Sequence, residues 1–210
     1  MYVPAAFSEH DPQFVAQFVA AHPLAQMVTM TNDGLTANPL PLIYEPAPDG
    51  LGSLVGHVAR ANTVWSKSLL DVETLVIFAG DGSYVSPNWY PSKAEHGKVV
   101  PTWNYEAVHM RGSLIIHDDS DWKRALVSRL TAIHEVASPQ PWAITDAPAD
   151  YIDAMLKAIV GVEVRVSSIQ AKRKLSQNRP ASDRAAVIAA LSELDGSAAG
   201  VAASMNTLPA

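Results

Sequence analysis

The stretch from Ser86 to Asn104, SPNWYPSKAEHGKVVPTWN, holds two nearly matched clusters of aromatic and amide side chains, NWY and WNY, the second completed by Tyr105. A basic, glycine-containing loop lies between them. Aromatic faces stack on planar heterocycles, while amide, hydroxyl and cationic groups take up a polar edge or a phosphate. A nucleotide or a flavin is therefore the first ligand to consider. The same residues could instead form a buried aromatic seam in a β-rich core. Two further segments carry anion-binding chemistry. In HVARAN, His57 to Asn62, a strand ends and a helix begins, which places Arg60 beside outward-pointing amide groups. In KRKLSQNRP, Lys172 to Pro180, cations adjoin a Gln-Asn pair ahead of another helix, although a charge run of this kind also serves as a solvated face. Six of the fifteen basic residues fall between Arg165 and Arg184, interrupted only by Asp183.

Other chemistries lose support. GLGSLVG, Gly50 to Gly56, echoes a dinucleotide fingerprint, but its spacing is wrong and it precedes a strand. The chain has no Walker phosphate loop, no H-E-x-x-H zinc helix and no G-x-S-x-G elbow. The seven histidines are scattered without ligand spacing, so no metal site and no catalytic nucleophile are expected. With no cysteine, redox work needs a cofactor, and a reducing, cytoplasmic location fits. No run reads as a membrane span or a secretory leader. A formal net charge of −6 opposes nonspecific attraction to nucleic acid while leaving a local basic patch possible.

These segments must be positioned by a mainly β chain. Asp11 and Pro12 open an amphipathic helix that Pro23 ends. LAQMVTM, the turn TNDG, LTANPLPLIY, the turn EPAPDG and LGSLVGHVAR read as a three-stranded meander. Asn62 caps a short helix through Ser68, and TLVIFAG, the turn DG and SYVS read as a hairpin. The loop Pro87 to Lys98 is long enough to be functional. A long strand from Val99 to about His117 precedes two helices, one beginning after Asp119 and the other ADYIDAMLKAIV. VEVRVSSIQAKRKL is then a strand, and Ser182 caps a last helix that stops at Gly196. The expected fold class is α+β, mainly β: an antiparallel barrel or strongly curled sheet with peripheral helices. Residues 1–196 are expected to form one domain, with 197–210 a disordered tail.

Taken in order, MYVPAAF, HPLAQMVT, TANPLPL, LVGHVARAN, YVSPNWYPSK, GKVVPTWNYEAVHMRG and KLSQNRPASDRAAVIAAL resemble the PaiB family, FMN-binding negative transcriptional regulators, from Met1 to about Leu194. VPTWNY together with KLSQNR is the specific part. Thr63 and Val64 depart from the proline and glutamine expected after the asparagine. The resemblance implies a split β-barrel related to pyridoxamine phosphate oxidase and the flavin reductases. It also implies a homodimer with FMN where two subunits meet, and a role in repressing genes of protease production and sporulation.

Residue chemistry within those blocks assigns roles around FMN. Arg60 and Lys174 or Arg179 are expected on the phosphate, and Asn62 and Ser86 on the ribityl chain or phosphate. Trp89, Tyr90 and Trp103 are expected as walls of the ring site, with Asn104, Gln177 and Asn178 on polar edges. Three functions remain open: a dimeric flavin-dependent regulator or sensor that could contact promoter DNA, an FMN-dependent oxidoreductase fed by a reduced nicotinamide, and a haem-binding protein. A DNA-reading helix-turn-helix near the C-terminus is disfavoured, because ASDRAAVIAALSEL has few side chains suited to bases.

Overall fold

The computed structural model of the chain describes residues 1–208. In order, the elements are β1 (Ser8–Glu9), α1 (Pro12–Ala21), β2 (Leu24–Thr31), β3 (Gly34–Pro41), β4 (Ile43–Glu45), β5 (Ser53–Ala59) and α2 (Val64–Lys67). They continue with β6 (Thr74–Val85), α3 (Ser92–His96), β7 (Thr102–His117), α4 (Ser120–Glu135), α5 (Ala149–Lys157), β8 (Ile159–Lys174), α6 (Ala181–Ser192) and α7 (Ser197–Asn206). The strands form an eight-stranded sheet ordered β3-β2-β6-β7-β8-β5-β4, with β1 also paired to β8. This is the mainly antiparallel α+β architecture that the sequence predicts.

The chain divides into two compact units. The first comprises Met1–Phe18, Ala79–Val108 and the chain from Gln170 onward; the second comprises Val19–Phe78 and His109–Ile169. The long strands β6, β7 and β8 contribute residues to both.

In the second unit, period-two alternation fixes the core face. Ala25, Met27 and Thr29 of β2 are buried while Leu24 and Gln26 are exposed. β2 and β3 are joined by the tight TNDG turn, in which Thr31 Oγ1 donates to Gly34 O at 3.0 Å and accepts from Asp33 N at 3.1 Å. Gly34, at φ +108°, supplies a conformation that other residues rarely adopt. The helix after Asp119 forms because that carboxylate accepts from Trp122 N at 2.8 Å. Leu126 and Leu130 then pack on Val55, with Ile43 and Trp122 beside them. Where β7 passes β8, a Cβ on Gly112 would lie 2.0 Å from Arg165 O, so only glycine fits.

In the first unit, Val85, Tyr90, Leu175, Val187 and Leu191 form a core completed by Val201, Ala202 and Met205 of α7. The expected disordered tail is thus corrected over Ser197–Asn206, which is a packed helix; Pro209 and Ala210 lie outside the described residues. Small residues such as Ala and Ser resemble a linker in composition, yet Ala is the strongest helix former and lets a helix sit close to its neighbour. The expected hairpin at Asp81-Gly82 is also corrected. Thr74–Val85 is one strand, and Gly82 does not have the positive φ that a two-residue turn requires. α6 begins after Pro180 without a side-chain cap, so Ser182 lies inside the helix.

Candidate functional site

Among the described residues, a cleft in each unit is lined by residues from the segments singled out above. In the second unit, the start of α2 faces the β2–β3 hairpin across a cleft of about 240 Å³. Asn62 anchors this corner. Its Oδ1 accepts from Val64 N at 3.0 Å, capping the helix as the sequence predicts, and its Nδ2 donates to Asn38 Oδ1 at 2.7 Å. Thr36, Thr63 and Lys67 add two hydroxyls and an ammonium group to the lining. Lys67 is exposed and has no ion-pair partner among the described residues.

Thr36, Asn38 and Lys67 were not picked out from the sequence. Lys67 could have been found, because NTVWSK carries it one helical turn beyond Thr63, the residue after the capping asparagine. The two hairpin residues become visible only once the β2–β3 register, Thr29 opposite Thr36 and Met27 opposite Asn38, is known.

Arg60 does not line that cleft. Its Nε donates to Lys157 O at 2.7 Å, Nη1 donates to Asp118 Oδ2 at 3.0 Å, and Nη2 donates to Asp118 Oδ1 and, at 3.1 Å, to Ile159 O. Lys123 Nζ donates to the same carboxylate at 2.8 Å. Hydrogen bonds from Arg60, then from Lys123, hold Asp118 well below the usual carboxylate range. The arginine therefore clasps the end of β5 to the start of β8.

The first unit's cleft, about 170 Å³, is lined by Lys174 and Arg179, by the polar residues Thr102, Asn104, Ser176 and Asn178, and by Phe7, Val100 and Pro101. Four predicted site residues meet here: Asn104, Lys174, Asn178 and Arg179. Asn104 is fully buried, and its Nδ2 donates to Ser176 Oγ at 3.0 Å. Ser176 has φ +66°, the one non-glycine residue with positive φ among those described. Lys174 Nζ donates to Thr102 Oγ1 at 2.6 Å and to Trp103 O. Burial, followed by repulsion from Lys172 and Arg179, pulls the Lys174 pKa down.

The other predicted residues are placed around this cleft rather than in its lining. Gln177 braces the loop: its Oε1 accepts from Leu175 N at 2.8 Å and its Nε2 donates to Arg173 O at 2.5 Å. Ser86 caps the short Pro87–Trp89 turn by accepting from Asn88 N at 3.2 Å. Trp89 packs against the first unit's core. Tyr90 is buried within that core, with the Arg179 guanidinium 4.9 Å from its ring centroid. Trp103 alone of the expected aromatic walls is well exposed, at 57%, with Tyr84 edge-on to it at 6.3 Å.

The family model described as "Putative FMN-binding domain" matches residues 1–168. The chain belongs to this FMN-binding domain family. Among its relatives, the chain is 31% identical over 188 residues to "Protease synthase and sporulation protein PAI 2" of Bacillus subtilis strain 168, covering 90% of this chain and 87% of that one. This agrees with the PaiB resemblance. Among solved structures, the flavocytochrome Anf3 from Azotobacter vinelandii superposes with TM-score 0.59 at 14% identity over 80% of this chain and 69% of that one. The FAD and heme binding protein from Mycobacterium smegmatis gives 0.55 at 15% identity over 85% and 78%. These likenesses show the split-barrel fold. FMN is the cofactor of the domain family, and the second unit's cleft offers hydroxyls, amides and the Lys67 ammonium for a phosphate and sugar chain, with Asp33 as the one acid of its lining.

Proposed function

We propose that this chain is a dimeric flavin-dependent regulator of the PaiB type, holding the FMN phosphate at the second unit's cleft. The observation that carries this reading is the Lys67 ammonium, without an ion-pair partner among the described residues, which shares a lining with Thr36, Asn38, Asn62 and Thr63 and with a single acid, Asp33. All of these residues lie within the span that the FMN-binding family model matches. Arg60, its donors engaged by Asp118 and two carbonyls, braces that corner instead of meeting the phosphate.

At about 240 and 170 Å³, neither cleft reaches the usual size of a ligand pocket, about 300–1,000 Å³. Pairing with a second copy would enlarge such a site, and the exposed Trp103 and Val100 offer an apolar surface for it. Bound FMN supplies reversible redox chemistry, and the protein supplies position and electrostatics. The regulatory assignment rests on the similarity to PAI 2, whose name joins protease synthesis and sporulation. A cytoplasmic location accompanies it, and no helix among the described residues is long and apolar enough to cross a membrane.

The test is a flavin-fluorescence titration of FMN-free protein. Lys67→Met should weaken FMN by about 10- to 150-fold, the loss of one charge-assisted hydrogen bond worth about 1.5–3 kcal/mol. Unchanged affinity would remove the phosphate assignment. Salt-dependent binding of the FMN-loaded dimer to promoter DNA tests the regulator. NADH or NADPH oxidation faster than by free FMN would favour an oxidoreductase instead.

A further inference from the structure

FMN carries one phosphate, but among the described residues clefts in both units present a cation and polar donors. They differ in where their residues fall. The second unit's cleft lies wholly within residues 1–168, the span matched by the FMN-binding family model. The first unit's cleft takes Lys174, Ser176, Asn178 and Arg179 from beyond it. We propose that the first unit's cleft is a second oxyanion site, separate from that of the flavin phosphate, and receives the carboxylate or phosphate group of a small second ligand. This inference rests on the placement of the flavin phosphate proposed above.

Three observations support it. The lining has two cations and no carboxylate, and Lys174 feels burial and the repulsion of Lys172 and Arg179 with no compensating acid among the causes of its shift. A bound oxyanion would relieve that repulsion. An ammonium has three protons; Thr102 Oγ1 and Trp103 O accept two, which leaves one for a ligand. Finally, the loop is rigidly built at an energetic cost. Ser176 is held at φ +66° over the buried Asn104 amide, and Gln177 ties the turn to the backbone on both sides. Strain of this type persists where the surrounding structure enforces it, as at ligand sites. Val100, 63% exposed, gives the ligand's carbon skeleton an apolar edge.

The experiment is calorimetric titration of the full chain, saturated with FMN, with inorganic phosphate and with acetate, against chloride at matched ionic strength. Saturable binding of phosphate, acetate or both is expected, and the two arms identify the preferred oxyanion. Asn178→Asp, at an exposed position, should weaken that binding by about tenfold or more through like-charge repulsion, and Lys174→Met should do the same by removing the donor. Lys174 and Asn178, expected from the sequence to meet FMN, are here assigned to the second ligand instead, so FMN affinity should stay within about threefold of wild type in both variants. The proposal is overturned if neither anion saturates, if both variants bind as wild type does, or if FMN affinity falls with anion affinity, because the cleft then belongs to the flavin. Failure of the underlying reading looks different: FMN would be insensitive to Lys67→Met. The anion titration of FMN-free protein would still decide whether this cleft binds an oxyanion.

Discussion

Replacing Arg173 with methionine should destabilise the chain more than any surface substitution. Arg173 Nε donates to Glu106 Oε1 at 2.6 Å, and Nη2 donates to Thr207 Oγ1 at 2.6 Å and Ser204 O at 3.4 Å at the end of α7. Nη1 lies 3.7 Å from Glu9 Oε2, and the guanidinium sits 4.5 Å from the centroid of Phe14. The pair is well shielded, with side chains 11% exposed for Arg173 and 9% for Glu106. Methionine would fill much of the volume but leave the Glu106 side chain buried without its main partner. Breaking a buried pair from one side costs about 3–5 kcal/mol. For a chain of this length, each kcal/mol lowers Tm by about 2–4 °C, so a fall of roughly 6–20 °C is expected. Urea denaturation followed by circular dichroism, with a parallel thermal melt, measures it. A double variant, Arg173→Met with Glu106→Leu, should recover most of the loss, because it removes the stranded carboxyl group. A single-variant loss below about 1 kcal/mol, or a double variant no better than the single, would refute the reasoning.

Two further outcomes are expected. Met205→Ala, at a side chain only 2% exposed in the first unit's core, should cost about 2–5 kcal/mol in urea denaturation; a cost under about 0.5 kcal/mol would mean that α7 is not firmly held. Asp118 titrates below the ordinary carboxylate range in the folded chain, so its contribution is complete above the unfolded value of about 4 and shrinks as pH falls from there toward the folded value. The stability gap between wild type and Asp118→Asn should therefore be constant near neutrality and narrow under acid, and a gap that widened as pH fell would contradict this.

Much of the fold was legible because its signals are local. The TNDG turn, the Asp119 cap and the Asn62 cap each depend on residues within a few positions, and each forms as the sequence predicts. Asp81-Gly82 misled because a turn dipeptide inside two apolar runs cannot reveal that a neighbouring strand, β7, is long enough to hold it extended. The site was legible by segment but not by residue. HVARAN does mark one cleft, yet its arginine is taken by Asp118, 58 positions away, while Lys67 lines the cleft. KRKLSQNRP marks the other, although Gln177 turns back onto its own loop. Tyr90 has the composition of a ring wall but is enclosed by helices from the far end of the chain, a long-range contact that spacing does not encode.

The family model's match ends at residue 168, partway along β8. A fragment excised at that boundary would be severed in mid-strand. It would lose Ala171 and Lys172, against which β1 pairs, together with Leu175 and both terminal helices, whose side chains fill the first unit's interior. The remnant would expose raw sheet edges and greasy surface, and should aggregate when expressed alone. The stretch matched by the family model and the stretch needed to fill the first unit's interior therefore have different endpoints in this protein.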